Sequence, residues 1–150
     1  MPNNNNTTPL GSVEYRRVGE MIYDKVRVYE NLPAGIEVDY QGLKGINHLG
    51  FMTTPGGKIT KRFITGGFAA QLPFQLLYKT TPTTNSTNFN AENFVDDLAD
   101  WLEQRPYPEL SDGRVVTSIV MDSITYISTA DNDGSVVFVR NGSVFYEKEG

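Results

Sequence analysis

From Phe68 to Thr81 the chain alternates without interruption: Phe68, Ala70, Leu72, Phe74, Leu76 and Tyr78 hold the even positions, and the odd ones are mostly polar or small. Successive side chains of an extended strand point to opposite faces, so the segment demands a long strand with one face in a core. Pro73 lacks an amide donor, which predicts a sheet edge here or a bulge at the strand's middle. Upstream, Lys58 to Thr65 reads as a partner strand and Gly66-Gly67 as the tight turn or bulge between the two.

Two helices flank this region. After Ser12, read as an N-cap, Tyr15, Val18, Ile22, Val26 and Tyr29 recur at spacings of three and four, the period of an amphipathic helix of about four turns. Leu32-Pro33-Ala34-Gly35 ends it, because the residue before proline disfavours helix and glycine permits a free turn. A short extended piece, Ile36 to Tyr40, follows. Asn90 is the expected cap of the second helix, whose Phe94, Val95, Leu98, Trp101 and Leu102 form one stripe. Glu92, Asp96, Asp97, Asp100 and Glu103 lie opposite, an expected solvated face. Pro106 and Pro108 close that helix.

Two segments read as loops. Gln41 to Gly57 holds five glycines plus Pro55, and Thr80 to Asn90 is rich in Thr, Asn and Pro, so both are expected to be excursions carrying contacts. Beyond the turn at Ser111-Asp112-Gly113, a long strand runs from Arg114 to Ser128. Its apolar phase changes from Val115, Thr117, Ile119 and Met121 to Ile124 and Tyr126, which predicts a bulge near Asp122-Ser123. Asp131-Asn132-Asp133-Gly134 signals a turn, and Asn141-Gly142 a hairpin or a wide bulge between Val136–Arg140 and Ser143–Lys148. The sum is α+β: an antiparallel sheet with two amphipathic helices packed on one face. Residues 1–11, beginning with an Asn-rich polar stretch, are expected to form a flexible arm, and 12–150 a single domain.

Composition narrows the chemistry. Without cysteine there is no disulfide, thiolate metal site or cysteine nucleophile. The single histidine, His48, offers no pair of imidazoles for zinc and no acidic neighbour in sequence for a relay, so no metal, cofactor or catalytic role is expected. Gly57-Lys58 is followed by Ile59, with Met52 where a phosphate loop needs its first glycine. Asp131, Asp133 and Gly134 resemble a calcium loop, but the twelfth position would be Arg140 in place of a bidentate glutamate. A formal charge of −5 argues against tight, salt-sensitive binding of nucleic acid, so Lys58, Lys61 and Arg62 read as a structural or subunit contact. No secretory signal or membrane-length apolar run is present, and the protein is expected to work where it is made.

Three stretches carry a resemblance: Leu72-Pro73-Phe74-Gln75-Leu76-Leu77-Tyr78-Lys79-Thr80-Thr81-Pro82-Thr83-Thr84, Trp101-Leu102-Glu103-Gln104, and Tyr107-Pro108-Glu109-Leu110-Ser111-Asp112-Gly113-Arg114. Together they resemble the minor capsid protein family of long-tailed bacteriophages, over about Gly35 to Tyr146. Members look like tail terminators, small α+β proteins. The resemblance implies a structural virion protein and no enzyme: a homo-hexameric ring that caps the tail tube, stops its polymerisation and forms the docking face for the head connector. Its partners would be further copies of itself, the tube protein and the connector, with no cofactor and no membrane. It would be assembled in the host cytoplasm and sit at the head–tail interface of the virion. Six copies at −5 place about −30 on the ring, which would let DNA pass without specific binding. A neck or head-completion protein of the same joint is the nearest alternative, and a small-molecule-binding or hydrolytic domain built on His48 and a carboxylate a more distant one. The matching Phe74, Tyr78, Trp101, Leu102, Pro108, Gly113 and Tyr126 are core, turn and strand positions and define the fold. Candidate contacts to subunits or tube are Lys58, Lys61 and Arg62, with His48 and Phe51 in the first loop and Thr83, Asn85 and Asn88 in the second.

Overall fold

The structure, a computed structural model, describes residues 8–108, 110, 112–122 and 124–150 of the chain. It is α+β, with a curled, mostly antiparallel sheet and two helices on one face. The elements are β1 (Thr8–Pro9), α1 (Ser12–Arg27), β2 (Glu37–Tyr40), β3 (His48–Thr53), β4 (Lys58–Arg62), β5 (Phe68–Thr80), α2 (Asn85–Leu102), β6 (Arg114–Val120), β7 (Tyr126–Ala130) and β8 (Val136–Lys148).

β5 and β8 form the spine, paired antiparallel from Phe68↔Lys148 to Thr80↔Val136. Outside β5, β4 pairs with Phe68–Gln71 and β3 with Phe74–Lys79. Outside β8, β6 and β7 stand end to end in the same manner. The even positions of β5 meet both helices as the alternation predicts: Ala70, Leu72, Phe74 and Leu76 are buried among Val18, Ile22 and Val26 of α1 and Leu98, Ala99 and Leu102 of α2. Burying one such large side chain is worth about 1.5–3 kcal/mol, so this layer dominates the stability.

Pro73 is neither at an edge nor in a bulge, for β5 is central. Its carbonyl accepts from the Thr54 amide, 3.0 Å. One residue's N and C=O point to the same side of a strand, so the missing donor faces the junction between β3 and β4, where the ladder is already broken.

The segment 41–57 is not a single loop. It contains β3, with Leu49 and Phe51 fully buried, and β3 runs parallel to β2 in the register Glu37↔His48 and Tyr40↔Phe51. The short return between them is made by left-handed backbone at Gln41 (φ 57°) and Asn47 (φ 61°). Scattered glycines hid this strand: Leu49 and Phe51 are its two large buried residues, and Gly50 between them abuts the return loop at Gly42.

The final segment is neither a hairpin nor bulged at Asn141-Gly142. β8 runs unbroken through Asn141-Gly142, with Gln75↔Asn141 and Phe74↔Gly142 in regular register. Gly142 packs tightly: a Cβ there would lie 2.6 Å from Met121 Sδ and 3.0 Å from Phe74 Cζ, so a side chain would displace the end of Met121. The expected strand 114–128 is two strands, β6 and β7, and the register against β8 shifts between Val116 and Ser118 and again between Ile127 and Thr129. Val116 therefore faces the core and Val115 is exposed, the reverse of the predicted phase, whereas beyond the shift Ile119 and Met121 are buried in keeping with it. Ser123 and Ser111, parts of the predicted bulge and turn, lie outside the described residues. Tyr126 is a strand position but an exposed one.

Both helix starts differ from expectation. Gly11, not Ser12, is the N-cap of α1. Thr84, not Asn90, caps α2, its side chain accepting from the Thr87 amide in a reciprocal capping box, so half of the expected second loop is helix. Residues 1–7 of the expected arm lie outside the described residues. Thr8 and Pro9 of that arm pair with Ile59 and Lys58, and Leu10 is buried. No helix among the described residues is long and apolar enough to cross a membrane.

Candidate functional site

Alternation within β2 places Glu37 and Asp39 on one face, away from the helices, and the parallel register brings His48 beside them. His48 Nδ1 lies 2.8 Å from Asp39 Oδ2, and Nε2 lies 3.7 Å from Glu37 Oε2. The ring is held edge-on between two carboxylates. Asp39 is buried at 6% exposure, whereas the Glu37 side chain is 74% exposed. Asp39 also accepts the Lys44 amide at 2.7 Å, so one carboxylate ties both the return loop and the imidazole. Gly45 adds no side chain here; a Cβ would stand 3.2 Å from Nε2. A carboxylate on Nδ1 leaves Nε2 as the reactive nitrogen. Among the described residues no hydroxyl or amine nucleophile bonds to His48, so the pair lacks the third member of a hydrolytic relay.

The sequence placed no acid near His48, and the structure supplies two. Glu37 and Asp39 fall in the expected extended piece Ile36 to Tyr40; their meeting with His48 was not legible, since a parallel pairing across so short a return leaves no local signal.

Other carboxylates are engaged. Glu14 of α1 accepts from Arg114 Nε (2.9 Å) and Nη2 (2.5 Å) and from the Tyr146 hydroxyl (2.8 Å), and Asp112 also accepts from Arg114. Burial pushes the Glu14 carboxyl up, but the bonds from Arg114 and Tyr146 outweigh it and hold the group below its usual value. Burial, then Glu14, raises the Tyr146 hydroxyl far above its ordinary value. The acidic face of α2 is solvated only in part: Glu92, Asp97 and Asp100 are exposed. Asp96 accepts from Arg140 (3.0 Å) and Thr125, and Glu103 caps the Met121 amide (3.0 Å). Asp133 accepts from the Ser135 amide and hydroxyl at 2.9 and 2.6 Å within its turn.

The expected contact residues do not form one patch. Lys58, Lys61 and Arg62 are exposed along β4, and Thr83, Asn85 and the half-buried Asn88 surround the start of α2. Phe51 is no contact residue: at 0% exposure it packs between Tyr40 and Phe74 in the core. Phe74 and Leu102 are core, Tyr78 meets Phe94 edge-on, Trp101 packs on Tyr29, and Gly113 turns at φ 88°. Pro108 is half-buried in the connection to β6.

These features define an α+β fold in which, among the described residues, both helices lie on one face of the sheet. The chain matches no protein-family model and no curated protein.

Proposed function

We propose that this protein is a structural virion component, a tail terminator that closes as a ring of identical copies on the end of a phage tail tube and presents the docking face for the head. The observation that carries the reading is the resemblance in the three stretches on β5, at the end of α2 and leading into β6. Two further features support it. The order helix, strands, helix, strands on a one-sided sheet suits that class, and among the described residues the sheet's second face and the edge formed by β6 and β7 carry no packed helix. Exposed Val115, Val120, Tyr126 and Ile127 lie along that edge, and open edges with apolar side chains are surfaces that assembly covers.

The test is electron microscopy of lysates from a phage lacking this gene. Overlong, headless tubes are expected, since only a missing cap leaves tube growth unchecked. Tails of normal length accumulating beside finished heads would overturn the reading and move the protein to the head side of the joint.

A further inference from the structure

We propose that His48 and Glu37, with Asp39 behind them, form a site for a divalent transition-metal ion such as zinc at the outer edge of the sheet. The inference is independent of the tail-terminator reading.

Three observations carry it. First, the separation of His48 Nε2 and Glu37 Oε2, 3.7 Å, approaches the roughly 3.4 Å that two ligand atoms show across one tetrahedral zinc ion, taking metal–ligand bonds of about 2.0–2.2 Å. Glu37 is exposed and closes the difference by a small side-chain rotation. Second, Asp39 is buried and already seated on Nδ1 at 2.8 Å. That is the carboxylate–histidine arrangement that fixes the tautomer of a metal-binding imidazole and turns its Nε2 lone pair outward. Third, the side-chain-free Gly45 stands beside that nitrogen, and β2 is the terminal strand of its side of the sheet, so water can fill the remaining coordination positions.

An imidazole with a carboxylate selects zinc, copper or nickel over magnesium or calcium, which favour all-oxygen sets. The bound ion would join β2 to β3 across the return loop. Lys79 is the cross-strand partner of His48, but its ammonium lies 3.6 Å from the Asp131 carboxylate, and Lys44 meets Asp39 through its backbone amide.

Because the chain contains one histidine, the experiment is unambiguous. Zinc chloride is titrated into tag-free, 15N-labelled full-length protein, and the imidazole nitrogens are followed by NMR, with magnesium chloride as control. Saturable displacement of the Nε2 resonance and of the β2 and β3 backbone amides by zinc and not by magnesium is expected, with the amide displacements lost in His48→Ala. Glu37→Gln, at an exposed position that leaves the fold intact, is expected to weaken zinc about tenfold, and Asp39→Asn by 10–100-fold. An Nε2 resonance unmoved at millimolar zinc, or an unchanged affinity in either His48→Ala or Glu37→Gln, would overturn the proposal.

Discussion

Gly50 of β3 passes directly beneath Gly42 of the loop that returns from β2: a Cβ built on Gly50 would overlap the Gly42 carbonyl oxygen and come within 3.4 Å of Leu43 Cβ. This crossing lets a short return join two parallel neighbours, a connection that ordinarily takes a dozen residues or more.

Gly50→Ala therefore meets backbone, which has no rotamer to yield. The substitution is expected to destabilise the protein by about 1–3 kcal/mol, the range for forced overpacking. Urea unfolding followed by circular dichroism measures it, with a lowered midpoint and an unchanged slope as the expected outcome. The same variant should shift the His48 ring resonances, because the return loop that carries Gly45 would be displaced.

The ion pair between Glu14 and Arg114 joins the first turn of α1 to the start of β6, and Arg114 is only 6% exposed. Arg114→Met leaves Glu14 without its cation and should cost about 3 kcal/mol, while Glu14→Gln combined with it should cost less than the two single changes added. The pH dependence follows from the same contacts. Glu14 lies below its ordinary value of 4.5 in the fold, so the folded state holds its proton less tightly than the unfolded chain. Its contribution is complete above pH 4.5 and is lost as pH falls from there through the folded value. Tyr146 lies above its ordinary 10.0, so the unfolded chain ionises first and stability falls as pH rises beyond 10. Chemical denaturation between pH 3 and 11 should show both flanks, and Glu14→Gln should flatten the acid one.

Helix α2 starts at Thr84, where the side chains and amides of Thr84 and Thr87 bond reciprocally. Thr84→Ala should cost about 1 kcal/mol, as loss of an N-cap does. Asn90→Ala, at an exposed position inside the helix, should be neutral or stabilising by a few tenths of a kcal/mol. A larger loss at Asn90 than at Thr84 in thermal melts would place the helix start where the apolar stripe alone puts it.

The stripe at Phe94, Val95, Leu98 and Leu102 located α2 but not its first turn, because Asn85, Ser86 and Thr87 are exposed and the cap is a local polar exchange between two threonines. Likewise Asn141-Gly142 carries a strong turn signal that β8 overrides: paired to β5 along its whole length, it gains more from a continuous ladder than from a two-residue turn. Glu37 and Asp39 fall in the expected extended piece Ile36 to Tyr40, but nothing local marks them as neighbours of His48.

The alternation of β5, the two apolar stripes and the missing cysteines settled the fold class and most of the core from the sequence alone, since burial of one strand face and one helix face is a periodic, local property. The tertiary structure decided what depends on which strands lie side by side: the central place of Pro73, the burial of Phe51, the space that Gly50 and Gly142 leave, and the meeting of His48 with two carboxylates. Register and parallel pairing arise from contacts between residues distant in sequence, and no local pattern encodes them.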